Sequence, residues 1–402
     1  MDALKSTPFP LSVYTIRPNS KYISPQYKLI GSVPALGGPN AAPSPPSDWS
    51  IATETLPGLQ PYEKGPRNTE LCKSTIIDLH SHQRISESSE SIEHLLAVNP
   101  HIMANTPPAT LIIDQWNPYL TYRDFLNISA TMNLDGKPGY PYSTCYSSKR
   151  DFLERDPILL FFLVNLRIIS LRHLSEHATN HIEMLLCYSS DPSCPSQKNE
   201  VKKVDKDSRI FEATSIVSEL AFRALYIPAS RMNTLHCMRF YSAIGIGFTP
   251  EHSQLLFQHL SGELATSDVP KFDVTVTTCE QLLSFITLID QLDLHQESPW
   301  FSVVYGYYRA MQFRVIVFPD GSLWAQIYPG ATSTGDITTS MFNTMTRARR
   351  SYAVTDCLNK ILATYTPFLA MAAGDDCIER YHPLTLDTYH RLGYPLRDFE
   401  EM

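Results

Sequence analysis

Pro367-Phe368-Leu369-Ala370-Met371-Ala372-Ala373-Gly374-Asp375-Asp376-Cys377-Ile378 carries more structural information than any other stretch of this chain. Apolar residues run up to a Gly-Asp-Asp turn and resume after it, the pattern of a tight β-hairpin. Such a turn holds two carboxylates at its tip, toward water or a metal. Gly and Asp are ordinary turn residues, so the triplet gains its meaning from what precedes it. Asp268 and Asp273 stand upstream, followed by a Thr-Gly loop and a helix carrying Thr339 and Asn343.

Working outward, Asp268-Val269-Pro270-Lys271-Phe272-Asp273 comes just before a helix. Thr277 and Thr278, each with Glu280 or Gln281 three residues on, form a capping-box pattern. Leu282, Phe285, Ile286, Ile289 and Leu292 then repeat at helical spacing. Both aspartates therefore sit on a strand-to-helix connection, where the helix dipole favours negative charge. Two carboxylates at a strand end are also what a divalent metal needs. Residues 301–328 read as a hairpin around Pro319-Asp320-Gly321, and residues 329–335 as a flexible loop. A long helix is expected from Asp336 to about Thr364, with Thr339, Asn343 and Arg347 four apart on one face.

Residues 198–209 hold five cations against three anions in a chain of net charge -8. That run is a solvated face or a segment that meets phosphates, with Arg209 offering a bidentate fork. Residues 212–226 read as a helix. Residues 158–171 form the most apolar run; Asn165 and Arg167 break it, and it reads as a buried or amphipathic helix too short to span a bilayer. Asp78, His80 and His82 resemble a first-strand metal signature of amidohydrolases, and alternation would put all three on one strand face. No alternation of strands and helices follows to complete such a barrel, so a solvated segment or helix start is the expectation there.

The chain has 402 residues, enough for two or three domains' worth of core. Its eight cysteines form no C-x-x-C pair, which argues against a zinc knuckle and a disulfide scaffold. No signal-peptide pattern is present. Thirty prolines crowd toward the first 110 residues; residues 1–61 are expected to be extended or poorly ordered. The net charge excludes a global basic field, so nucleic-acid binding would rest on a local basic stretch.

In their order these segments resemble the RNA-dependent RNA polymerases of positive-strand RNA viruses, closest to the group of sobemoviruses, poleroviruses and barnaviruses. Residues 267–276 are similar to motif A, Thr334-Gly335 with Thr339 and Asn343 to motif B, residues 373–379 to motif C, and residues 392–399 to motif D. Residues 198–209 occupy the place of motif F. Gly245-Ile246-Gly247-Phe248 and Lys137-Pro138-Gly139-Tyr140-Pro141 also look like this group. The resemblance covers roughly residues 60–402. Two positions depart: Thr334 stands for the motif B serine, and Arg397 for the motif D lysine, where an arginine would hardly give up a proton.

The resemblance implies an α+β right-hand polymerase with fingers over residues 62–261 and a palm over 262–402. The palm would be an antiparallel ferredoxin-like sheet backed by helices, the 301–328 hairpin would be finger-type, and the thumb would be largely absent from this chain. It implies Asp268, Asp375 and Asp376 as catalytic ligands of two Mg²⁺ (or Mn²⁺) ions. Asp273, Thr339 and Asn343 would read the ribose, Thr334 and Gly335 would shape the nucleotide loop, and Arg209, Lys206 and Lys198 would neutralise triphosphate. RNA template and product, NTPs, and other viral replication proteins or a chain supplying the thumb are the implied partners. No transmembrane segment is expected, and the implied location is host cytoplasm in a membrane-associated replication complex. The competing readings are a polymerase-derived chain that binds RNA or a partner without catalysis, and the metal hydrolase at His80 and His82.

Overall fold

The Gly-Asp-Asp hairpin forms where the apolar pattern put it. In the computed structural model, which describes residues 27–32, 62–64, 69–176, 191–197, 201–203, 209–237, 241–247, 249–396 and 398–401, Ala373 pairs with Asp376 across the turn. Gly374 has φ 71° there, backbone that L side chains rarely adopt.

In chain order the strands are β1 (Tyr27–Ser32), β2 (Tyr62–Lys64), β3 (Cys194–Gln197), β4 (Val201–Lys203), β5 (Ile210–Ala213), β6 (Leu264–Asp268), β7 (Val315–Val317), β8 (Ser322–Gln326), β9 (Ala370–Ala373), β10 (Asp376–Arg380) and β11 (Asp398–Glu401). The helices are α1 (Thr69–Ser81), α2 (Ser89–Asn105), α3 (Tyr122–Ser129), α4 (Lys149–Arg155), α5 (Pro157–Glu176), α6 (Ile216–Leu235), α7 (Pro250–His259), α8 (Phe272–Thr275), α9 (Thr278–Gln291), α10 (Pro299–Gln312), α11 (Thr339–Leu362) and α12 (Thr385–Arg391).

One antiparallel sheet, ordered β11-β6-β10-β9, matters most for function. Helix α11 lies against β9 and β10 and also packs on α2 and α12. The capping box appears as predicted at Thr277 and Glu280, starting α9. Among the described residues the largest apolar core runs from Leu95 and Phe125 through Val164, Leu220 and Phe285 to Met345, Ala372 and Tyr389, with small satellite clusters around Ile316 and Phe272. It joins the two halves that the sequence reading divides at residue 262.

Several expectations need correction. Residues 301–312 are not a hairpin arm but most of α10, started by Ser298 as N-cap and Pro299 at the first turn. The hairpin is confined to β7 and β8. Helix α6 begins at Ile216 and runs on to Leu235, because residues 210–213 are strand. Part of the Pro-rich segment, β1, pairs with β8. Helix α5 outruns the predicted 158–171 stretch and is long and apolar enough, by length and composition, to cross a membrane. It buries Leu160, Val164, Ile168 and Leu171 on one stripe and leaves Ile158, Leu159, Phe162 and Leu166 exposed. Its Arg167 pairs with Asp191.

Residues 69–81 are helix, so Asp78, His80 and His82 do not share a strand face. Asp78 is exposed, whereas His80 is buried 3.8 Å from Glu212. That geometry removes the basis of the amidohydrolase reading.

Candidate active site

The site grows from strand register. Ser267 of β6 stands opposite Cys377 of β10. One residue further along, that antiparallel register sets Asp268 opposite Asp376, at the end of the sheet where the Gly374-Asp375 turn lies. Side chains alternate along a strand, so Asp268 and Asp376 share one face, while Ser267, Cys377 and Glu379 share the other, toward α11. Asp268 is half-buried; Asp375 and Asp376 are exposed. The Gly374 amide donates to Thr344 Oγ1 of α11 at 2.8 Å, fixing the turn from below.

Asp273 follows on α8, after Lys271 takes a left-handed conformation. Its carboxylate accepts from Asn343 Nδ2 at 2.6 Å. Burial pushes the Asp273 carboxyl up to about 6; the Asn343 hydrogen bond opposes this, and the nearby Asp375 charge adds to it. Asn343 is buried, and its Oδ1 has no hydrogen-bond partner among the described residues. A buried amide oxygen left over is an acceptor site for a hydroxyl.

The Thr-Gly loop is built against β5. Glu212 N donates to Thr334 Oγ1 at 3.0 Å, and Thr214 Oγ1 donates to the Gly335 carbonyl. A Cβ at Gly335 would lie 1.7 Å from the Glu212 carbonyl oxygen, so glycine is required by close approach. The Thr332 amide donates to the Asp273 carbonyl at 2.7 Å, which ties this loop to the Asp273 segment. Thr339 donates its hydroxyl to the Ser333 carbonyl and closes the loop from within.

Glu212 anchors this region. Burial pushes its carboxyl up, but the Arg314 guanidinium at 2.7 Å, His80 and the Ser333 hydroxyl outweigh that and hold it down at about 2. Arg209, just before β5, is exposed. Lys198 and Lys206 lie outside the described residues, as does Arg397.

Asp268, Asp273, Asp375, Asp376 and Asn343 are thus brought to one end of one sheet; Thr334 and Gly335 lie beside them on the loop. The motif reading assigned no role to Glu212, Thr344, Ser267 or Glu379, whose contacts are distant in sequence. Arg347 had a signal, its four-residue spacing from Asn343, without a role. Three carboxylates, with no thiol or imidazole among them, form a hard oxygen set that suits Mg²⁺ or Mn²⁺. A separate group, Glu90, His94 and Cys357, has ligand atoms within 4.8 Å of one another. There Glu90 is paired with Arg391 and His94 Nδ1 with Asp356.

No protein-family model matches the chain. Over 283 residues, 68% of its length, the chain is 24% identical to the replicase polyprotein P2AB of Southern bean mosaic virus (isolate Bean/United States/Arkansas). It spans 28% of that polyprotein's length. The match supports a relationship to a viral replicase.

Proposed function

We propose that this chain is an RNA-directed RNA polymerase that copies a viral RNA genome by nucleotidyl transfer from NTPs. The observation that carries this reading is the β6–β10 register, which sets Asp268 beside the Asp375-Asp376 turn with the Asp273–Asn343 pair nearby. The order of the motifs and the replicase match agree with it. The right-hand architecture belongs to the same proposal: residues 262–402 as palm, 62–261 as fingers.

In this reading Asp268, Asp375 and Asp376 hold two Mg²⁺ or Mn²⁺ ions. When bound, such ions would supply activation of the attacking hydroxyl and stabilisation of the leaving oxygen. The remaining work falls to this chain's own groups. Asp273, once ionised, accepts from the ribose 2′-hydroxyl, and Asn343 Oδ1 offers a second acceptor. Arg209, with Lys198 and Lys206, offsets the triphosphate charge. Thr334 and Gly335 shape the floor under the nucleotide, held by β5. RNA and NTPs are the partners, in a viral replication complex of the host cytoplasm.

Primer extension on an RNA template with Mg²⁺ tests this. The wild-type chain is expected to extend the primer, and Asp375→Ala to reduce extension by about 10²–10³-fold while the protein stays folded. No product from folded wild type would leave the non-catalytic, RNA-binding reading. Equal product from both would refute the assignment of Asp375.

A further inference from the structure

Resting on the polymerase reading, we propose that Arg347 is a positioning residue. Its guanidinium sets the backbone of the Asp375-Asp376 turn against the end of β6 at the spacing that divalent cations require.

Arg347 is fully buried in α11, beneath the sheet on the face opposite the carboxylates. Its Nε donates to the Asp375 carbonyl at 3.2 Å. Nη1 donates to Tyr389 Oη at 2.8 Å, and Nη2 to Glu379 Oε1 at 2.9 Å and to Ser267 Oγ. The acceptors are themselves tied together: Tyr389 donates to Glu379 Oε2 at 2.6 Å, and Ser267 donates to Glu379 Oε1. One planar group thus touches the acid turn, the strand after it, the residue before Asp268 and helix α12.

Stability alone does not account for this arrangement. A buried ion pair is often replaceable by apolar groups without loss, because desolvation offsets its attraction. What only an arginine supplies is a rigid fork with donors in fixed directions. The contact to Asp375 is also to its carbonyl, not its carboxylate. Arg347 therefore orients the turn through its backbone while Glu379 balances its charge. Arg349 provides a contrast on the same helix. It is equally buried, but bonds Asn99, Ser284, the Leu283 carbonyl and Thr287, away from the acids.

The test is Mn²⁺ binding to the full chain, followed by electron paramagnetic resonance, with thermal melting as the check on folding. Wild type is expected to bind Mn²⁺ and Asp375→Asn to bind it poorly. Arg347→Lys should weaken binding by about tenfold or more, the range seen when groups behind metal ligands are changed. Arg349→Lys should lower the melting temperature yet bind Mn²⁺ as wild type does. Should Arg347→Lys fail to fold, Tyr389→Phe removes one acceptor of the same network and is expected to weaken binding in the same direction. Wild-type affinity in Arg347→Lys, or in Tyr389→Phe where that replaces it, would overturn the proposal. So would equal losses in Arg347→Lys and Arg349→Lys, or no Mn²⁺ binding by wild type. Weakened binding in Arg347→Lys with no primer extension by wild type would sustain the positioning role and remove the polymerase reading.

Discussion

In the proposed reading Asp273 carries charge where burial opposes it. Its folded value of about 6 lies above the ordinary 3.8, so the folded chain holds this proton more tightly than the unfolded one. The group's contribution to stability is therefore present in acid and is lost as pH rises from 3.8 through about 6. The proposed sugar choice runs the other way, because only the ionised carboxylate is a pure acceptor for a 2′-hydroxyl. The preference for NTP over dNTP is predicted to grow as pH rises through about 6. Asp273→Ala should lose about 10–100-fold of that preference, the worth of one hydrogen bond to a charged group, and flatten its pH profile. The ratio of kcat/KM values for the two substrates across pH measures this. A preference unchanged in Asp273→Ala would separate Asp273 from sugar choice.

At the scale of elements, β5 and the Thr-Gly loop stand or fall with the His80–Glu212–Arg314 cluster. Burial holds His80 below its ordinary value of 6.5, with Arg314 adding to the shift and Glu212 opposing it. A lowered histidine contributes stability above pH 6.5 that is lost as pH falls below it. Glu212, held down at about 2, contributes stability above its ordinary 4.5 that is lost as pH falls toward 2. Both act in the same direction, opposite to Asp273, so this cluster's share of the melting temperature is predicted to fall on acidification from 6.5. His80→Gln should flatten the upper part of that fall, and a melting series against pH in both proteins checks it. This cluster was illegible in the sequence because its members come from α1, β5 and the residue just before β7. The β9–β10 hairpin and α11 were legible because their signals are local: an apolar-flanked turn and a polar spacing of four. Helix α10 was misread because Phe301, Val303, Val304, Tyr305, Tyr307 and Tyr308 are strand-favouring residues. Ser298 and Pro299 held the contrary signal, a cap and a first-turn proline. The burial of Arg347, Arg349 and Arg350 in α11 was not legible because a charged residue on a helix ordinarily faces water.

Across the whole molecule, the account rests on acids that are distant in sequence meeting at one end of one sheet. Motif order predicted that meeting; the strand register supplies it, with β6 between β11 and β10. The pairing of β1 with β8, across nearly three hundred residues, had no local signal to announce it. The most direct measurement is anomalous diffraction from crystals of the full chain soaked in Mn²⁺. The account predicts Mn²⁺ bounded by Asp268, Asp375 and Asp376. Manganese held only elsewhere, as at Glu90, His94 and Cys357, with none between those three aspartates, would contradict it.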